Sequence, residues 1–422
     1  MSYRSDMMKN LIVVLALVSC LHSRTSAQDW TRFRGPNGQG HSSAKNIPVK
    51  WSQTDYLWTA DLPGEGHSSP VVWSDKLFIT CCDQKQAKAS ILALSTADGK
   101  TLWQRDYQLI ESPMNALNSY AASTPAVGKD CVFVIWPTAN ELSVIALDHD
   151  GNEKWRKTFG PVYGKHGPCV SPMLYDDLVV FTQEQRTNDK GLKSRWLALG
   201  RNDGQIRWEI QRENGSFISH ATPCVNTDDS GRQYLVFSSL VYGISAVEPK
   251  DGSILWEPPG FSVRALNSPV LAENLIVASC GSGGSGRTLM AVRPASKQSP
   301  AAVAYKIENS TVPFVPSVIV ANDLLFTFHD QGIVVCRDAQ TGVEKRAQKP
   351  GGRFFGSPIC VEDRLYCMNI NGDVVVLRAA EQYELLSVNP LGEKTHATPA
   401  VAGEILYLRT LTKVIAVGPA KD

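Results

Sequence analysis

Residues Ala93 to Trp103 read ALSTADGKTLW, and that eleven-residue phrase returns along the chain. Ala198 to Trp208 is ALGRNDGQIRW and Ala246 to Trp256 is AVEPKDGSILW, while Ala146 to Trp155, ALDHDGNEKW, is one residue shorter. Each copy joins an apolar run to a second run that carries Trp, through a turn ending in Asp-Gly. Glycine supplies positive φ without a steric cost, and Asp-Gly between two β-rich runs is a strong hairpin signal. A hairpin that recurs at intervals of tens of residues marks a repeat architecture.

A second element sets the phase. A Ser/Thr-Pro pair stands at Ser69-Pro70, Thr124-Pro125, Ser171-Pro172, Thr222-Pro223, Ser268-Pro269, Ser357-Pro358 and Thr398-Pro399, and Val315-Pro316 takes the remaining place. The eight prolines are spaced 41 to 55 residues apart. Each opens a second hairpin, such as PVVWSDKLFIT from Pro70 to Thr80, and proline is tolerated at the first residue of a strand. One repeat is thus four strands, the make-up of a propeller blade.

The fold class expected is all-β, an eight-bladed β-propeller of four-stranded antiparallel blades. Later repeats decay: Arg346 stands where Trp belongs, Tyr305 is a substitute in the fifth repeat, and the seventh has lost its glycine. The eighth repeat supplies only three strands, and Tyr56 to Ala60, YLWTA, matches the fourth. This N-terminal strand is expected to close the ring, leaving no sheet edge open. The expected division is a signal peptide at 1–27, an arm at 28–52 packed on the outside, and the propeller at 53–419.

The chain has 422 residues, 42 Lys+Arg against 41 Asp+Glu, and 43% hydrophobic residues. That balance gives no support to nucleic acid as a partner, and a monomer is expected. Lys9, the apolar run Leu11 to Leu21 and Thr25-Ser26-Ala27 form a secretory signal with cleavage after Ala27. A second reading stays open, in which Leu17-Val18-Ser19-Cys20 is a lipobox and Cys20 carries a lipid anchor. Either way the protein is expected outside the cytoplasm, periplasmic, extracellular or anchored to a membrane.

The repeated phrase resembles the tryptophan-docking motif of the pyrroloquinoline quinone-type propellers, from Tyr56 to Gly418. The resemblance implies structural docking by Trp58, Trp103, Trp155, Trp208 and Trp256, each stacked between blades, with Gly99, Gly151, Gly204 and Gly252 as the platforms. That family includes dehydrogenases that bind the quinone with Ca²⁺, and cofactor-free scaffolds such as the lipoprotein of outer-membrane β-barrel assembly. Fold does not decide between them.

Two groups of residues are candidates for chemistry. The resemblance implies that Cys81-Cys82 could be a cofactor-facing disulfide of a quinoprotein dehydrogenase. Against it, the inter-strand connections are short and no cluster of oxygen ligands for Ca²⁺ is evident. The expected reading is a binding or assembly scaffold without assigned catalysis and without a cofactor. The second group comes from repeat position. Residues three and five before the prolines share a face of an extended segment, which gathers His67, His220, His396, Arg264, Arg353 and Lys394 at one axial mouth. Such a funnel would receive a protein or a small anionic ligand, more tightly below about pH 6.5 if the imidazoles charge there. A metal site is not expected, because the three histidines come from blades one, four and eight.

Overall fold

A computed structural model describes residues 29–419 except 112–113, 139–140, 163–168, 186–193, 214–217 and 283–285. The signal segment and Cys20 lie outside the described residues. Eight antiparallel sheets follow one another along the chain. Blade one runs through Val71–Trp73, Lys76–Asp83, Lys88–Ser95 and Thr101–Gln108. The two middle strands are buried almost throughout, as a sheet covered on both faces by neighbouring blades requires, while the outer strand holds only exposed and half-buried residues.

Ring closure is as expected. Tyr56–Asp61 pairs antiparallel with Lys413–Val417, so the start of the chain is the outer strand of blade eight. In all eight blades the outer hairpin slips register by one residue beside the docking position, for example with Trp103 opposite Ala93 but Thr101 opposite Leu94. This bulge turns the docking side chain toward the next blade.

Four tryptophans dock as the motif implies. A Cβ added at Gly99, Gly151, Gly204 or Gly252 would come within 2.9 Å of the ring of Trp58, Trp103, Trp155 or Trp208, respectively. Each indole Nε1–H also donates to a carbonyl in the same turn, at 2.8–2.9 Å. Tyr305 replaces Trp in blade five, lying over Gly342 and donating its hydroxyl to the Ala339 carbonyl at 2.9 Å. Trp256 has no motif glycine ahead of it. It packs instead edge-on to Tyr234, at 5.9 Å, on the core between blades four and five.

The arm differs from expectation. Its first stretch, Trp30 to Ser42, does not lie on the outside but threads the axial channel. Trp30 exchanges backbone hydrogen bonds with Val72 of blade one, and Thr31 accepts from Val127 of blade two. Asn37 brackets Val225 of blade four, the Gln39 side chain accepts from Leu271 of blade five, and Arg34 donates to the Val318 carbonyl of blade six. His41–Ser42 then adds to blade seven as a parallel fifth strand beside Ile359–Val361. Trp30, Arg32 and Arg34 are buried. The reason is geometric: eight short inner strands leave a channel too wide for their own side chains to fill, and their backbone edges need partners.

Further on, the arm covers the place where blade seven has lost its tryptophan. Ser387 holds the docking position opposite Val376 and donates to the Val49 carbonyl. Asn389 binds both Val49 and Trp51, and the Tyr366 hydroxyl and Arg364 donate to the Ile47 carbonyl. Ile47 and Trp51 join the core between blades seven and eight.

Candidate functional site

Strand register corrects the phase of blade six. Ile319 pairs with Phe326 as Val71 pairs with Phe78, so the counterpart of Ser69-Pro70 is Ser317-Val318, two residues beyond Val315-Pro316. Every blade therefore carries Ser or Thr two residues before its inner strand. These hydroxyls form a belt around the axis. The Ser69 N–H donates to Thr124 Oγ1 at 2.9 Å and Thr124 N–H to Ser171 Oγ at 3.0 Å. Thr222 donates to Ser268, Ser268 to Ser317, Ser317 to Ser357, Ser357 to Thr398, and Thr398 back to Ser69, all at 2.9–3.1 Å. Only the step from Ser171 to Thr222 is not among these seven. The repeated Ser/Thr was plain in the sequence; its role as a blade-to-blade acceptor was not.

Above the belt opens an axial cavity of about 640 Å³, lined by His67, Cys169, His220, Arg264, Leu266, Arg353, Phe355 and His396, among others, with Phe33 of the arm also in its wall. The arm occupies the opposite end of the inner strands, where Asp29 accepts from the Ser74 N–H in the first turn of blade one. The cavity is thus a blind funnel. Five of the six residues chosen by repeat position do line it. Lys394 does not; it lies exposed beside the wall, with its carbonyl bound to the Leu411 N–H.

The histidines are not equivalent. His67 and His396 stack with ring centroids 4.4 Å apart, and Phe355 meets His396 edge-on at 4.8 Å. Burial, helped by the neighbouring His396 and Arg409, pushes His67 down to about 3. Burial also lowers His396, and Arg353 and Lys394 add to the effect. His67 is therefore neutral near pH 6.5 and supplies no gain in anion binding just below it, while His396 is shifted in the same direction.

The arginines carry the charge. Arg264 is 9% exposed, its guanidinium lies 5.0 Å over the Phe314 ring, and its buried Nε has no hydrogen-bond partner among the described residues. Arg353 donates through Nε to the Asp330 carbonyl at 2.9 Å. Asp330 is the one carboxylate among the described lining residues, and Arg287 holds it through two bonds of 2.8 and 3.0 Å. Burial pushes Asp330 up, but the Arg287 hydrogen bonds and the nearby positive charge outweigh that and lower it. The lining therefore keeps two arginines with no carboxylate of their own.

Cys81 and Cys82 are elsewhere. Both are free thiols in a regular strand, opposite Ser90 and Ala89. Successive residues of a strand face opposite ways; Cys81 joins the core between blades eight and one, Cys82 the core between blades one and two. Burial pushes Cys81 up to about 11. The disulfide of the alternative, quinoprotein reading is not formed, and neither sulfur lines the cavity. Asp330, the one carboxylate among the described lining residues, is already paired with Arg287, and no group of metal-ligating side chains occurs among the described residues.

Comparison with known structures finds the same architecture at low identity. BamB from Moraxella catarrhalis superposes with a TM-score of 0.59 at 13% identity, over 86% of this chain and 99% of that one. A europium-containing methanol dehydrogenase gives 0.65 at 11%, over 91% and 90%. A quinohemoprotein alcohol dehydrogenase from Pseudomonas putida gives 0.62 at 12%, over 94% and 81%. No curated protein matches the sequence. Residues 47–137 and 115–348 match a family of propellers of the pyrroloquinoline quinone type, described as outer membrane protein assembly factor BamB. The match spans most of the eight blades, and the chain belongs to that family.

Proposed function

We propose that this protein is an exported binding propeller that recognises its ligand or partner in the axial funnel and does not oxidise it. The observation that carries the reading is the blind cavity itself. The chain spends its own N-terminal arm to seal one end of the channel, and leaves the other end open with converging polar groups, the usual setting for a binding site. Export rests on the basic, apolar and small-residue sequence of the first 27 residues. The scaffold role agrees with membership of the assembly-factor family. The likeness to dehydrogenases is one of fold, and Cys81 and Cys82, the residues of the quinoprotein alternative, lie away from the funnel.

A blocked funnel tests the reading. Leu266 lines the cavity, and Leu266→Trp fills it from within. Ligands found with the wild-type chain, by thermal shift against a mixed library of small molecules and short peptides, should lose affinity for this variant. Retained binding would move recognition to another surface. Dye-linked alcohol oxidation that requires added quinone and Ca²⁺ would overturn the absence of catalysis.

A further inference from the structure

The belt has a second face. A hydroxyl offers one donor and two acceptor positions. Around the axis, Ser69, Thr124, Ser171, Ser317, Ser357 and Thr398 each spend an acceptor position on a neighbour's backbone N–H, and these six also line the cavity. None of their O–H protons has a hydrogen-bond acceptor within the described structure, so each is left to donate toward the axis. Thr222 lines the same ring, and its hydroxyl is engaged by none of the seven belt bonds.

A ring of hydroxyls could serve a cation through oxygen or an anion through hydrogen, and the surrounding charge decides. Arg264 lines the cavity nine-tenths buried, with no side-chain hydrogen bond among the described residues. Arg353 lines it with Nε anchored and its two terminal nitrogens without a partner among the described residues. Beneath, Arg32 and Arg34 flank Phe33 in the plug, both buried and bound only to backbone carbonyls. The single lining carboxylate is cancelled by Arg287. A positive field with donors converging on it rejects a cation and suits an oxyanion.

We infer that the funnel is an oxyanion receptor: a carboxylate, phosphate or sulfate group sits on the propeller axis, held by the Ser/Thr hydroxyl crown and by the guanidinium groups of Arg264 and Arg353. This rests on the funnel reading above and names its ligand class. The rest of the ligand lies toward the mouth, against the rings of His67, His396 and Phe355.

The test is calorimetric titration of the mature chain at low ionic strength with inorganic phosphate, sulfate and acetate, and with tetramethylammonium and erythritol as cationic and neutral probes. At least one oxyanion should bind, with the three probes ranking carboxylate against phosphate and sulfate. Arg353→Gln and Arg264→Gln should each weaken it about tenfold or more. Thr222→Val, which keeps shape and removes a donor that no belt bond uses, should weaken it several-fold without lowering the melting temperature. Lys394→Gln, outside the lining, should change affinity less than about threefold. Tighter binding of tetramethylammonium, no oxyanion binding in the millimolar range, or unchanged affinity in the Arg264→Gln/Arg353→Gln double variant would overturn the inference. If oxyanions fail while other ligands are lost on Leu266→Trp, the funnel reading survives and the ligand class falls. If oxyanions bind Leu266→Trp undiminished, both fall.

Discussion

The indole of Trp58 lies over Gly99, donating Nε1–H to the Thr96 carbonyl at 2.9 Å, and a Cβ at Gly99 would come within 2.5 Å of its ring. Trp58 belongs to blade eight and Gly99 to blade one, so the contact latches the two ends of the ring. Trp58→Ala should cost about 3–5 kcal/mol in chemical denaturation. Gly99→Ala should also destabilise, since φ there is +71° and the added methyl meets the ring. A Trp58→Ala protein that denatures like wild type would remove the latch from the account.

The belt gives a cleaner comparison. Thr398→Ala leaves the buried Ser357 N–H without its acceptor and should cost about 1–3 kcal/mol. Thr398→Ser keeps the hydroxyl and should cost much less. If both variants lose the same stability, the methyl group rather than the hydrogen bond is what matters at this position.

The plug should be as structural as any blade. Trp30 is fully buried, and Trp30→Ala should cost about 3–5 kcal/mol. Gly35 has φ +64°, and a Cβ there would stand 2.5 Å from the Trp30 ring, so Gly35→Ala should loosen the same segment. Limited proteolysis reads the effect directly: cuts within 29–52 should be slow in the wild type and fast in either variant.

His67 sets an acid limit. Its folded value of about 3 lies below the ordinary 6.5, so between those values the unfolded chain binds a proton that the folded chain excludes. Stability should fall as pH drops through that window, with the full loss reached below about 3. His67→Gln should flatten this acid limb while leaving stability at pH 8 within about 1 kcal/mol. An unchanged slope from pH 6.5 to 4 would show that His67 is not responsible.

The architecture was legible because its signals are local and repeated. Asp-Gly turns, docking tryptophans and Ser/Thr-Pro pairs return at fixed spacing, and Tyr56 to Ala60 carried enough of the pattern to be matched with the last blade. Position within the repeat also brought His67, His220, His396, Arg264 and Arg353 to one mouth. The arm was not legible, because WTRFRGPNGQG is a single copy whose partners are backbone edges in six different blades, and no spacing encodes them. The phase of blade six misled for a related reason: proline marked the strand start in seven repeats, yet the physical requirement is the hydroxyl before it, which Ser317 meets with Val318 beyond. The chemistry of Cys81 and Cys82 was equally hidden, since adjacency in sequence says nothing about which faces a strand turns toward its neighbours.

The threaded arm also bears on how the chain can fold during synthesis. The residues made first find their partners in the residues made last: Arg34 meets Val318 across 284 positions, and Val49 meets Asn389 across 340. Loops that long close slowly, and contacts so distant in sequence are made late. Until blade eight emerges, Trp30, Ile47 and Trp51 have no complete seat, and two unpaired strand edges face each other across the gap. A chain halted after blade seven is therefore not a smaller propeller but an open arc with a loose apolar leader, the kind of intermediate that aggregates. Blade eight, with its strand borrowed from Tyr56–Asp61, is what turns that arc into a ring.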